Sequence, residues 1–241
     1  MAPPPLPSFL AFLADQFRGR WREEARSDWA YVVFYRPIAA ALAWGLAHTP
    51  ATPMAVTLAG GLSIPAMAAL AVLLPGATAV PLIGLVGWLG GLLDCADGDL
   101  ARLTGRTSWL GRYVDFQVDV VRWATLFVAV GIAADRAGGG VGVWFAVAAG
   151  AAGLRRVARA ARAYRFGTLG RDPPSSAPAA PPTLATLVER FVGGLDGLLP
   201  IFLGLGWMVG LGGWVLMLPL GLAVLDVLTT QIANLRRYAR L

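Results

Sequence analysis

Four aspartates carry the strongest chemical signal in this sequence: Asp94 and Asp97 on one predicted helix, Asp115 and Asp119 on the next. At about 100° per residue, Asp94, Asp97, Gly98 and Ala101 fall within roughly a third of the helix circumference, with Arg102 at the edge of that face. Asp99 points elsewhere. On the following helix Gly111, Asp115, Asp119 and Arg122 share one face at i, i+4, i+8 and i+11. The turn Leu103–Leu110 folds the two helices back on each other, so the four carboxylates aim at one another. Carboxylates crowded together at low dielectric cannot all stay ionised unaided, and something cationic must sit among them. All-oxygen ligands favour Mg²⁺, Mn²⁺ or Ca²⁺ over Zn²⁺. Four bridging carboxylates suit a two-metal site, which stabilises both attacking and leaving oxygens in phosphoryl transfer. Gly98 and Ala101 add no bulk, so a phosphate can approach the helix closely, and Arg102 is placed to pair it.

The elements that position these residues are membrane helices. Of the 241 residues 57% are hydrophobic and only 14% charged, against about 25% charged in soluble domains. Mean hydropathy is +0.63. These values exclude a disordered chain, a nucleic-acid-binding arm and an ordinary cytosolic globule. They predict an all-α polytopic membrane protein with six spans: Pro53–Leu74, Val80–Arg102, Gly111–Ala134, Val141–Tyr164, Leu184–Leu211 and Trp214–Arg237. Phe9–Trp29 mixes aromatic residues with arginines and glutamates, and Tyr31–Ala47 is short and broken by Pro37. Both read as interfacial amphipathic helices, the competing reading being a seventh span over 31–47. The chain thus divides into an N-terminal cytoplasmic tail with interfacial helices, 1–50, and a six-span domain, 51–241, interrupted by a Pro- and Ser-rich cytoplasmic linker over 166–183.

All the basic residues are arginines, 20 of them, and the net charge is +6. In the six-span arrangement Arg136 lies on one side and Arg122 within a span. Every other arginine falls on the opposite side, which the positive-inside rule makes cytoplasmic, with both termini and the acidic cluster. Cys95 stands alone, so no internal disulfide forms, and its place on the helix makes it a packing residue. The lone His48 excludes a histidine metal cage and reads as a solvated residue at the membrane boundary. The Pro-rich start has no basic n-region and no signal h-region. Small residues over Gly84–Gly91 and Gly204–Gly213 predict close helix packing.

The full string, Asp94-Cys-Ala-Asp97-Gly98-Asp-Leu-Ala101-Arg102, eight residues, Gly111, three residues, Asp115, three residues, Asp119, resembles the signature of the CDP-alcohol phosphotransferase (CDP-alcohol phosphatidyltransferase) family. Every fixed position of D-x2-D-G-x2-A-R-x8-G-x3-D-x3-D is matched. Thr52-Pro-Met-Ala-Val-Thr57 is similar to the T-P-N-x-V-T stretch of many members, with Met54 where that pattern has Asn. The resemblance implies a six-helix fold, a homodimer, and an active site open to the cytoplasm of a bacterial-type inner or cell membrane. It implies metal-dependent transfer of a phosphatidyl or other phospho-alcohol group from a CDP-linked donor, CDP-diacylglycerol foremost, to an alcohol acceptor. CMP is released, as in phospholipid biosynthesis. Asp94, Asp97, Asp115 and Asp119 are then implied ligands of two Mg²⁺ or Mn²⁺ ions, Asp119 doubling as general base. Thr57, Gly98, Ala101, Arg102, Ser108 and Gly111 are implied to contact or line the CDP moiety. A small soluble CDP-alcohol donor and an inositol-phosphate acceptor are alternatives within the same chemistry.

Several residues keep two readings. Arg122 is either an ion pair for Asp119 or a contact for an acceptor phosphate. The cluster Arg155, Arg156, Arg159, Arg162 and Arg165 is either an anchor on anionic lipid or a basic pocket for a phosphorylated acceptor. Asp196 and Asp226 either recognise a polar acceptor or bond to neighbouring helices, and the stripe Thr229, Thr230, Gln231, Asn234 favours a substrate-lining role for Asp226. A cation-binding transporter or a silent scaffold are the rival classes. Acids concentrated at one depth and the intact set of four aspartates weigh against them. The expected partners are the donor, the acceptor and the bilayer, not nucleic acid.

Overall fold

A computed structural model describes residues 6–25, 28–169, 191 and 194–238. Helices account for the architecture, and no strand occurs among the described residues. In chain order they are α1 (Phe9–Arg18), α2 (Arg20–Glu24), α3 (Trp29–Phe34), α4 (Arg36–Leu46), α5 (Pro53–Gly61), α6 (Ser63–Leu73), α7 (Gly76–Leu103), α8 (Trp109–Ala137), α9 (Val143–Leu169), α10 (Leu199–Met208) and α11 (Met217–Tyr238). Single 3₁₀ turns over Asp196–Leu198 and Gly212–Leu216 precede α10 and α11.

Local chemistry sets the helix ends. Ser8, Thr52 and Ser108 accept from the backbone N–H three residues on, at 3.3, 3.2 and 2.9 Å, the standard N-cap bond. Pro37 stands in the first turn of α4, where a missing N–H costs nothing, so the apolar stretch divides at Tyr35 into α3 and α4. Gly105 takes φ +66°, a left-handed turn that stops α7. The α7–α8 connection is tighter than Leu103–Leu110: both helices extend into it and leave only Thr104–Ser108. At the far end the Asp135 carboxylate accepts from the Trp144 and Phe145 amides, at 3.1 and 2.9 Å, and so starts α9.

Four stretches are long and apolar enough to cross a membrane: Pro53–Leu73, Gly76–Leu103, Trp109–Ala137 and Gly212–Ile232. They coincide with the first, second, third and sixth expected spans. The fourth expected span is helical as α9, but Arg155, Arg156 and Arg159 leave only its first half uncharged. The fifth lies partly outside the described residues, and its described part is the shorter apolar stretch Asp196–Met208. The linker expected over 166–183 starts inside α9, which runs to Leu169, and otherwise lies outside the described residues.

Helix α7 is the centre of the bundle, packed on α4, α5, α6, α8 and α10, while α9 packs between α8 and α11. Met67, Ile83, Leu126, Phe127, Val130, Leu203 and Leu216 form the main core. A second cluster, with Tyr35, Ala39, Val56, Leu100 and the buried Cys95, joins α4 to α7. Glycines bring α7 against its neighbours as the small-residue pattern predicts. A Cβ at Gly90 would stand 2.6 Å from Ser63 Oγ and 2.8 Å from Arg122 Cδ. Gly91 presents the same close approach to Tyr35 and Arg122. His48 is exposed, its Nδ1 2.8 Å from the Trp44 carbonyl.

Candidate active site

The antiparallel pair α7 and α8 brings the four aspartates together. Asp97, Asp115 and Asp119 all lie within electrostatic range of Asp94. Carboxylates gathered this way need a shared proton or a cation among them. Asp97 is buried, and its Oδ2 accepts from the Thr57 hydroxyl, which also lies 3.1 Å from the Pro53 carbonyl. Thr57, at the second turn of α5, therefore orients Asp97.

Cationic charge among the acids comes in part from the protein. Arg122 is buried, with Nη2 2.7 Å from Asp119 Oδ1 and 3.6 Å from Asp94 Oδ1. The ion-pair reading of Arg122 is thus the one the structure displays, and Arg122 reaches Asp94 as well. Arg159 Nη1 lies 3.0 Å from the other oxygen of Asp119, so a guanidinium stands on each side of that carboxylate. Among the described residues no three Asp, Glu, His or Cys side chains converge on one ion position. The donor set still fits hard divalent cations: every candidate ligand is a carboxylate oxygen, and the other three acids lie within electrostatic range of Asp94.

The remaining motif residues distribute themselves around this centre. Asp99 faces away from the other acids, as the helical rotation predicts, and its side chain is fully buried. Its Oδ1 receives Arg102 Nη2 at 2.5 Å, Arg36 Nη1 at 3.3 Å and Arg20 Nη1 at 3.4 Å. Arg102 therefore rests on Asp99 rather than standing open to a phosphate. Glu24 completes the group, holding Arg36 through two bonds of 2.5 and 2.7 Å and Arg20 at 3.2 Å. Gly98 makes room for this posture, since a Cβ there would press on the Arg102 guanidinium at 3.2 Å. Ser108 caps α8 on the Gly111 amide, and Ala101 and Gly111 are half-buried. Sequence reasoning missed Arg20, Glu24 and Arg36. The available signal was Arg36 itself, a charge in an otherwise apolar stretch.

A cavity of about 180 Å³ has a wall that includes Trp123, Arg155, Arg156, Asp196, Asp226 and Arg159, the partner of Asp119. Arg155 is held bidentately by Asp196, at 2.6 and 2.5 Å, and lies over the Trp123 ring at 5.1 Å. Thr230 is buried, and its hydroxyl lies 3.5 Å from Asp226 Oδ1. The segment bearing Asp196 is fastened to the N-terminal helices: Tyr35 donates to the Gly197 carbonyl at 2.7 Å and Trp29 Nε1 to the Phe191 carbonyl at 3.2 Å. Burial pushes the Tyr35 phenol above its ordinary value, which keeps it a donor. The side chains of Arg162, Arg165 and Asn234 lie outside the described residues.

No curated protein matches the chain. A family profile does: that of the CDP-alcohol phosphatidyltransferases aligns with residues 51–225, which include all four aspartates, the Arg102 turn and the arginines of α9. With a match over most of its length and the opposed acids of α7 and α8 in place, the chain belongs to the CDP-alcohol phosphatidyltransferase family.

Proposed function

We propose that this protein transfers a substituted phosphoryl group from a CDP-linked donor, CDP-diacylglycerol foremost, to a small polar alcohol, releasing CMP. The family fixes the reaction class, transfer from a CDP-alcohol. The observation that carries the finer reading is the gathering of four aspartates on facing helices beside a polar cavity that shares Arg159 with Asp119. Asp94, Asp97, Asp115 and Asp119 are the residues to hold two divalent cations, Mg²⁺ or Mn²⁺. When bound, such ions supply the positive charge that a pyrophosphate and its departing nucleotide require. Asp119, paired with Arg122 and Arg159, accepts the proton of the acceptor hydroxyl. Thr57 holds Asp97 in orientation. Gly98, Ala101 and Gly111 leave space beside the acids for the CDP group, and Arg102 pairs a donor phosphate.

The acceptor reading follows from the cavity wall. Arg155 is neutralised by Asp196, and Arg159 by Asp119. Arg156 forms no ion pair with Asp119 or Asp196 among the described residues and meets an anionic group on the acceptor. Asp226 is a hydroxyl acceptor at the same wall. A cavity of about 180 Å³ suits a small polar molecule better than a second diacyl lipid. Six spans, an N-terminal interfacial pair of helices and a cytoplasmic active site complete the proposal, supported by the distribution of arginines. A homodimer and a role in phospholipid biosynthesis come with the family resemblance.

The test is release of CMP by purified protein given CDP-diacylglycerol or a soluble CDP-alcohol, Mg²⁺ or Mn²⁺, and a panel of acceptors. The expected result is cation-dependent CMP release with one small polar acceptor and its loss in Asp119→Asn. Failure of every pairing, with Asp119→Asn indistinguishable from wild type, refutes the proposal.

A further inference from the structure

The cluster around Asp99 lies outside the acidic centre, and three of its five members, Arg20, Glu24 and Arg36, precede the family match. Three guanidinium groups converge on one oxygen, Asp99 Oδ1, while Oδ2 has no hydrogen-bond partner among the described residues. The three contacts are unequal. Arg102 is close, at 2.5 Å, and its side chain is 41% exposed. Arg36 and Arg20 stand back at 3.3 and 3.4 Å, longer than the roughly 2.7–2.9 Å of a charge-assisted bond. Both therefore have room to close on Asp99, and Oδ2 offers them a second place to do so. A fully buried carboxylate cannot be stripped of its counter-charge without a large penalty. Only a replacement charge lets Arg102 leave.

We propose that Arg20 and Arg36, on the N-terminal helices, are positioning residues that take over Asp99 when Arg102 swings to a donor phosphate. Asp99 parks Arg102 in the ligand-free enzyme, and the N-terminal arginines lower the cost of releasing it. Glu24 opposes them, because it holds both arginines back from Asp99. The inference rests on the reading of Arg102 as a donor contact, which Arg102→Gln tests separately.

The experiment measures equilibrium binding of radiolabelled CDP to the full-length protein in detergent with Mg²⁺, alongside donor KM and kcat. Arg20→Gln, at a partly exposed position, is expected to weaken CDP binding about fivefold, an ordinary coupling between neighbouring charges, and to raise donor KM with little change in kcat. Glu24→Gln is expected to tighten binding, the opposite sign, whereas general damage to the N-terminal helices moves both variants the same way. Combined with Asp99→Asn, Arg20→Gln is expected to have no further effect. Arg18→Gln, whose guanidinium bonds the Ala14 carbonyl and no acid among the described residues, is the control and leaves binding unchanged. If wild type binds CDP and Arg102→Gln does not, the donor reading stands. Equal binding by wild type, Arg20→Gln and Glu24→Gln, or weakening by both variants, then overturns the proposal. If Asp99→Asn does not fold, the opposite signs of Arg20→Gln and Glu24→Gln decide it alone. If wild type fails to bind CDP, the donor reading itself fails, and the proposal with it.

Discussion

Replacing Arg122 by methionine removes the one guanidinium that sits between Asp94 and Asp119 while keeping most of the side-chain volume. Arg122 is 2% exposed, and its partners' side chains are 25% and 18% exposed, so solvent screens these pairs little. Removing one member of a buried pair costs about 3–5 kcal/mol. Arg159 remains on Asp119 at 3.0 Å and softens the loss, which places the expected cost at the lower end, about 3 kcal/mol. For a chain of this length that is a fall in Tm of about 6–12 °C. Tryptophan fluorescence during heating in detergent reads it directly. In EDTA the variant is expected to show the full loss, and Mg²⁺ to restore a larger part of it than in wild type, because a divalent cation then supplies the missing charge. The double variant Asp119→Asn/Arg122→Met is expected to be less impaired than the sum of its parts. An Arg122→Met protein that melts with wild type in EDTA, or that gains no more from Mg²⁺ than wild type does, refutes the assignment of Arg122 as the internal counter-charge of the acids.

Two further outcomes follow from packing and capping. Gly90→Ala forces a methyl group against Ser63 and Arg122 and is expected to cost about 1–3 kcal/mol, measured as a lowered Tm. Asp135→Ala removes the acceptor for two amides at the start of α9 and is expected to cost about 1–2 kcal/mol, with hydrogen exchange accelerated at Trp144 and Phe145 and catalysis preserved.

The acidic cluster was legible because its information is local. Spacings of three and four residues set which side chains share a helix face, and a short turn sets the two helices antiparallel. The same rotation separated Asp99 from its neighbours correctly. What periodicity cannot carry is the identity of partners 63 and 79 residues away, so the Arg36 and Arg20 contacts to Asp99 stayed hidden. For Arg122 the sequence offers either Asp119, at i+3, or an acceptor phosphate, and its reach to Asp94 on the other helix emerges only with the packing. Helix α9 shows the limit of apolar counting: the arginines that line a polar cavity also interrupt the stretch by which a membrane helix is recognised. The helix boundaries around Thr104–Ser108 shifted for a simpler reason, since Ser108 and Gly105 mark the cap and the stop and the flanking turns stay helical.

The seam of Gly87, Gly90 and Gly91 has a consequence one helical turn away. Leu126 and Arg122 of α8 seat their side chains directly on the α7 backbone there, so the spacing of the two helices beside Asp94 is set by residues outside the acidic group. Variants that add bulk at this seam would shift α8, and with it Asp115 and Asp119, relative to Asp94 and Asp97.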